Sequence, residues 1–110
     1  MKGEAFMKGD VRDARLEFLF KGILTLSTLE DCYHFFTDLC TPFELQEMAQ
    51  RMQAAKMLKD GLIYSEIAER TGLSMATISR VNRCLRYGEQ GYHRVLEDVE
   101  KHQRREWRNR

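Results

Sequence analysis

Long apolar runs are missing from this chain, and so are the signals that announce an enzyme. No stretch approaches the roughly 20 apolar residues of a membrane-spanning helix, and no signal-peptide pattern opens the sequence. A cytoplasmic protein without a membrane partner is therefore expected. The 110 residues include 1 proline and 3 cysteines. Scarce proline, with no strand-type alternation of apolar and polar residues, leans towards helices. Cys32, Cys40 and Cys84 are odd in number and lack CxxC spacing, which excludes a disulfide framework and fits a reducing compartment. Cys32 and His34, two positions apart, point to different sides of a helix and make a poor metal pair. His34, His93 and His102 are scattered, and neither a Gly-rich phosphate loop nor a Ser-His-Asp order is present. Neither catalysis nor a metal site is expected.

An excess of one charge is also lacking, since the formal net charge is +1. The distribution is uneven, however. Residues 27–50 hold Glu30, Asp31, Asp38, Glu44 and Glu47 with no Lys or Arg, whereas residues 75–86 hold Arg80, Arg83 and Arg86 with no acid. The last ten residues add Lys101, Arg104, Arg105, Arg108 and Arg110 against Glu106 alone. A phosphate-facing surface in the second half fits this pattern, and so does an ordinary solvated face.

The chain suffices for one domain, and its small size means that burial against a partner would help to stabilise it. Residues 1–9 show no sustained period and are expected to be a disordered lead-in. A single helical domain is expected over 10–100, with a basic extension over 101–110. From Asp10, the spacing of Val11, Ala14, Phe18, Leu19 and Ile23 suggests a first helix. Ser27 and Glu30 have capping-box spacing, followed by an apolar stripe of Leu29, Cys32, Tyr33, Phe36, Leu39 and Cys40 widened by Phe35. That stripe fits a core or a face shared with a second subunit. Thr41, Pro42 and Glu44 form a second helix start, and Leu45, Met48, Met52, Ala55 and Leu58 carry its apolar face to Asp60-Gly61. A final helix is expected within 92–108 through Val95, Leu96 and Val99.

The informative segment is 62–86, which reads as a helix-turn-helix. Ala68 supplies the small residue where two helices approach closely, and Gly72 the residue tolerant of positive φ in the turn. Ile67, Leu73, Ile78 and Val81 make the small core, and Ser74 can cap the second helix. Ile63, ahead of the first helix, cannot cap it. The outward residues are then Ser74, Met75, Ala76, Ser79, Arg80 and Arg83. Met75 and Ala76 suit thymine methyls, Ser79 a base or phosphate, and Arg83 a phosphate. Ser65, at the start of the first helix, is a further candidate phosphate ligand.

Thr41-Pro42 opening a helix, Arg51 within it, Gly61 ending it and Ala76-Thr77-Ile78-Ser79-Arg80 beyond it resemble the Trp repressor family over about residues 27–100. The run from Arg70 to Leu85 is most similar to the YerC/YecD-type branch of that family. The resemblance implies an all-α fold of six-helix subunits whose N-terminal helices interlock into a two-fold homodimer. It implies double-stranded DNA as partner, with two reading heads about one turn apart. The expected function is a sequence-specific transcription regulator, in the sense of a repressor. The alternative is a helix-turn-helix module that docks on a protein of the transcription machinery. Arg51, Thr77 and Arg80 stand at the positions that hold the family's ligand, L-tryptophan. Val81 replaces the glycine that leaves room for it, and Cys84 replaces a serine. Val81 is expected to fill that space, so no cofactor is expected and L-tryptophan is disfavoured.

Overall fold

The computed structural model describes residues 12–108, and the lead-in expected over 1–9 lies outside them. Six α-helices and no strand occur among the described residues. They are α1 (Ala14–Ile23), α2 (Leu29–Leu39), α3 (Pro42–Lys59), α4 (Tyr64–Thr71), α5 (Met75–Tyr87) and α6 (Gly91–Arg108). Packing divides the chain into two compact units, one up to Leu45 and one from Gln46.

In the first unit, caps set the helix starts. Asp13 caps α1, its carboxylate accepting the Leu16 N–H at 2.8 Å, and Asp10 and Val11 of the expected start lie outside the described residues. Thr28, not Ser27, caps α2, with its hydroxyl accepting the Asp31 N–H at 3.0 Å. The Asp31 carboxylate in turn accepts the Ser27 N–H at 3.3 Å, so reciprocal capping is realised one residue further on than the Ser27–Glu30 spacing suggests. Thr41 and Glu44 cap one another as expected, at 2.8 and 3.1 Å. No described residue of α1 or α2 is buried. Phe35 and Phe36 pack edge to face with centroids 5.3 Å apart, while Phe18, Leu24, Leu29, Tyr33 and Phe43 are each at least 70% exposed.

The second unit has a core organised around two adjacent small residues. Ala54 and Ala55 are both 0% exposed, and each belongs to a different buried cluster. Ala54 meets Ile67, Leu73 and Ile78, whereas Ala55 meets Val81, Leu85 and Leu96. Successive helical positions lie about 100° apart, so one small step along α3 serves both the helix-turn-helix and the α5–α6 junction. Ala55 is on the expected apolar stripe, but Ala54 is off it, and Met48 on the stripe is exposed.

Gly88 closes α5 for a steric reason. Its φ of −86° is open to any residue, but a Cβ there would sit 2.5 Å from the Cys84 carbonyl oxygen, a backbone atom that cannot swing away. Gly88→Ala is expected to destabilise the chain by about 1–3 kcal/mol, the usual cost of forcing an extra methyl into a filled space. A lowered unfolding midpoint with an unchanged denaturant slope would bear this out.

Candidate nucleic-acid interface

The segment from α4 to α5 has the local chemistry of a helix-turn-helix at each joint. No side chain caps α4, which follows Ile63. Ser65 is exposed in its first turn. At the other end Gly72 adopts φ 80° and its N–H donates to the Ala68 carbonyl at 2.9 Å. A Cβ at Gly72 would find ordinary space, 3.7 Å from the Gln50 side chain, so it is the left-handed backbone that calls for glycine here. Thr71, buried in the turn, has no orphaned polar atom: its hydroxyl donates to the Ile67 carbonyl at 2.7 Å and accepts the Leu73 N–H at 3.1 Å. Ser74 then caps α5, accepting the Thr77 N–H at 3.1 Å and donating its own hydroxyl to Thr77 Oγ1 at 3.0 Å.

Three residues of α5, Ile78, Val81 and Leu85, face inward and are buried. The opposite side presents Ala76, Arg80, Arg83 and Tyr87, all exposed, at spacings of four, three and four along one face. Met75, 51% exposed, stands at the helix start, and Ser79 lies on the flank. Ser79 is half-buried rather than fully outward. Ser65, Ser74, Met75, Ala76, Arg80 and Arg83 are all exposed. The helix carries no acid, so every charge on its outer surface is positive.

On the other flank of α5, a cleft of about 350 Å³ opens towards α3 and α6. Arg51, Thr77 and Arg80 line it, with Val81, Cys84, Glu47 and Tyr92. Val81 lines the cleft with its side chain only 2% exposed, packed against the cluster of Ala55, Leu85 and Leu96. Glu47 and Tyr92 escaped the sequence reading. Glu47 lies one helical turn before Arg51 and pairs with it at 3.7 Å, a spacing that was visible, but nothing in the sequence marks Tyr92. Arg80 belongs to both the outer face and the cleft.

Two further contacts hold the frame. The His93 ring approaches the Leu85 carbonyl with Nε2 at 2.9 Å, tying α6 to the last turn of α5. Lys56 bridges Asp60 at 2.9 Å and Glu100 at 2.8 Å, joining the last turn of α3 to the middle of α6. The hydrogen bond from Lys56, then its charge, holds the Glu100 carboxyl below the usual value, and the bonds to Glu100 and Asp60 raise Lys56. Both stay ionised near neutrality, although exposed pairs of this kind contribute little to stability. No group of His, Cys, Asp or Glu among the described residues could hold a metal ion, and no described helix is long and apolar enough to cross a membrane.

A family model described as Trp repressor protein matches residues 14–100. The chain belongs to the Trp repressor family. The uncharacterised protein YerC of Bacillus subtilis is 51% identical over 89 residues, covering 81% of this chain and 86% of YerC. A solved TrpR-like protein from Eubacterium eligens superposes with a TM-score of 0.79 at 47% identity, covering 84% of this chain and 95% of that one. A structure described as a candidate Trp repressor from Staphylococcus aureus gives the same TM-score and identity over 84% and 92% of the two chains. Membership makes this an all-α chain of a regulatory, DNA-binding family, which the order of helices and the helix-turn-helix geometry both match.

Proposed function

We propose that the protein is a sequence-specific, double-stranded DNA-binding transcription regulator, acting as a repressor, with α5 read into the major groove. The observation that carries this is the exposed, acid-free row of Ala76, Arg80 and Arg83 on a helix whose start is capped by Ser74. Recognition helices present their N-terminal residues to base edges, which assigns Met75, Ala76 and Ser79 to readout. Arg80 and Arg83 meet phosphates further along, and Ser65 and Ser74 add hydroxyls at the two helix starts. Ser74 serves first as a cap, so its share in binding is the smaller.

The working unit is a homodimer. In support, α1 and α2 bury no residue in one chain while Phe18, Leu24, Leu29, Tyr33 and Phe43 stand in solvent. So many exposed large apolar side chains within one short stretch of chain are costly to leave in water and fit a partner surface. The cleft beside Arg51, Thr77 and Arg80 is the place for a small effector bearing an anionic group, since Arg80 borders both it and the reading face.

Selection from a random duplex pool, with the enriched sequences retested at two salt concentrations, tests the reading. A two-fold-symmetric motif whose binding falls steeply with salt is expected, because neutralised phosphates release counterions. Arg83→Ala should weaken binding on every sequence alike. Absence of enrichment both with and without small metabolites would overturn the assignment in favour of a protein partner.

A further inference from the structure

The recognition helix does not account for the most basic stretch of the chain, which lies at the far end of α6. Within that helix Lys101, Arg104 and Arg105 are exposed and recur at intervals of three and one, which is one helical face. Of the neighbouring acids, Glu100 pairs with Lys56 at 2.8 Å and Asp98 with Arg94 at 3.5 Å, while Glu97, one turn before Lys101, is exposed and makes no ion pair among the described residues. Among the described residues, no ion pair engages Lys101, Arg104 or Arg105.

The Lys56–Glu100 bridge decides where this row sits. It fixes the middle of α6 against the last turn of α3, where Lys59 adds another exposed cation close enough to bear on Glu100. From Lys59 the chain turns through Asp60 and Gly61 straight into α4, whose first turn has no side-chain cap and exposes Ser65. In a helix-turn-helix the first helix crosses the nucleic-acid backbone. The cationic end of α6 is therefore tied, through Lys56, to the end of α3 from which the chain enters α4.

We infer that Lys59, Lys101, Arg104 and Arg105 form a second phosphate-binding surface, which grips duplex DNA flanking the segment read by α5. This rests on the DNA-binding reading of α5 and extends its footprint outward. It contributes affinity and salt dependence but no base discrimination, because phosphates carry no sequence information. A basic helical face also suits an anionic membrane, but Val95 and Val99, exposed apolar residues of α6, lie on another side of the helix from the cationic row. A membrane-bound helix needs its apolar and basic faces arranged to meet one surface together.

The test uses the full chain and the selected operator in two duplexes, one with long flanks and one trimmed to the symmetric core. Wild type, a triple Lys101→Gln, Arg104→Gln, Arg105→Gln variant and a separate Lys59→Gln variant are titrated over a salt series. Each lost phosphate contact should flatten the slope of log K against log salt by about 0.9, hence about 2.7 per chain for the triple variant. Between 50 and 200 mM salt that slope corresponds to roughly a forty-fold change in affinity. The expected result is that the flattening appears on the long duplex, that the advantage of long flanks disappears, and that the ranking of operator sequences is unchanged. Lys59→Gln, on a different helix, should reproduce about a third of it, so a folding defect in α6 alone cannot imitate the pattern. A triple variant with the wild-type slope on the long duplex overturns the inference, as does one that loses sequence ranking. Retained duplex behaviour with lost binding to vesicles of anionic lipid assigns the row to a membrane and overturns it too. Wild type that binds no duplex at all is the distinct result that removes the DNA-binding reading, and this inference with it.

Discussion

Ala76→Glu should abolish operator binding while leaving the chain folded. Ala76 is exposed in the first turn of α5, where a carboxylate faces the positive end of the helix dipole and does not disturb packing. In the free protein the substitution is therefore neutral or mildly favourable. In the complex it places a negative charge among phosphates and base edges, in a space too narrow to keep its water. Like charges brought together at an interface cost several kcal/mol, and about 3 kcal/mol is already more than a hundredfold in affinity. Circular dichroism and thermal melting should match the wild type, and fluorescence anisotropy with the operator should show no saturation. A variant that binds normally would mean that α5 is not the reader, whatever its shape.

Ile78→Ala should have the largest effect on stability. Ile78 is 0% exposed and packs with Ala54, Ile67 and Leu73, so α3, α4 and the turn between α4 and α5 lose contact with one side chain at once. Ala54 is too small to move into the gap. Removing a buried isoleucine down to alanine costs about 2–5 kcal/mol, against a total of about 5–15 kcal/mol for a typical domain. A fall of at least 10 °C or so in the melting temperature is expected. Ile78→Val, which removes one methylene, should cost about 0.5–1.5 kcal/mol and serves as the graded control. If folding is coupled to dimerisation, both midpoints will rise with protein concentration, so the comparison is made at fixed concentration. Equal stability of Ile78→Ala and wild type would mean that the α4–α5 core is not what holds the reading helix.

The helix-turn-helix was legible because each of its requirements is local. A small residue at 68, a left-handed glycine at 72, a hydroxyl cap at 74 and apolar residues at 78 and 81 can all be checked along one stretch of chain, and the structure uses each in that role. The Thr41–Glu44 box and the positive φ of Gly61 were legible for the same reason. Where two candidate caps lie close together, local rules are less decisive. Ser27 and Thr28 both carry a hydroxyl, and the shorter Asp31, not Glu30, makes the reciprocal bond. Ser79 shows another limit, since periodicity gives the direction of a residue on its helix but not how far the neighbouring elements reach around that helix.

The sequence by itself determined the six helices' existence, the turn that joins α4 to α5 and the sign of charge on the reading face, because helix periodicity, caps and left-handed glycines act within a few residues. Only the tertiary structure decided the cleft and the junction of α3 with α6. Glu47 and Arg51 meet Thr77, Arg80 and Cys84 across α3 and α5, and Tyr92 joins them from α6. Lys56 finds Glu100 in the same way. Those meetings depend on how closely the helices approach, which is set by the side chains between them. With Ala54 and Ala55 both fully buried, α3 can come near two neighbours at once, and Val81 joins the core while it lines the cleft.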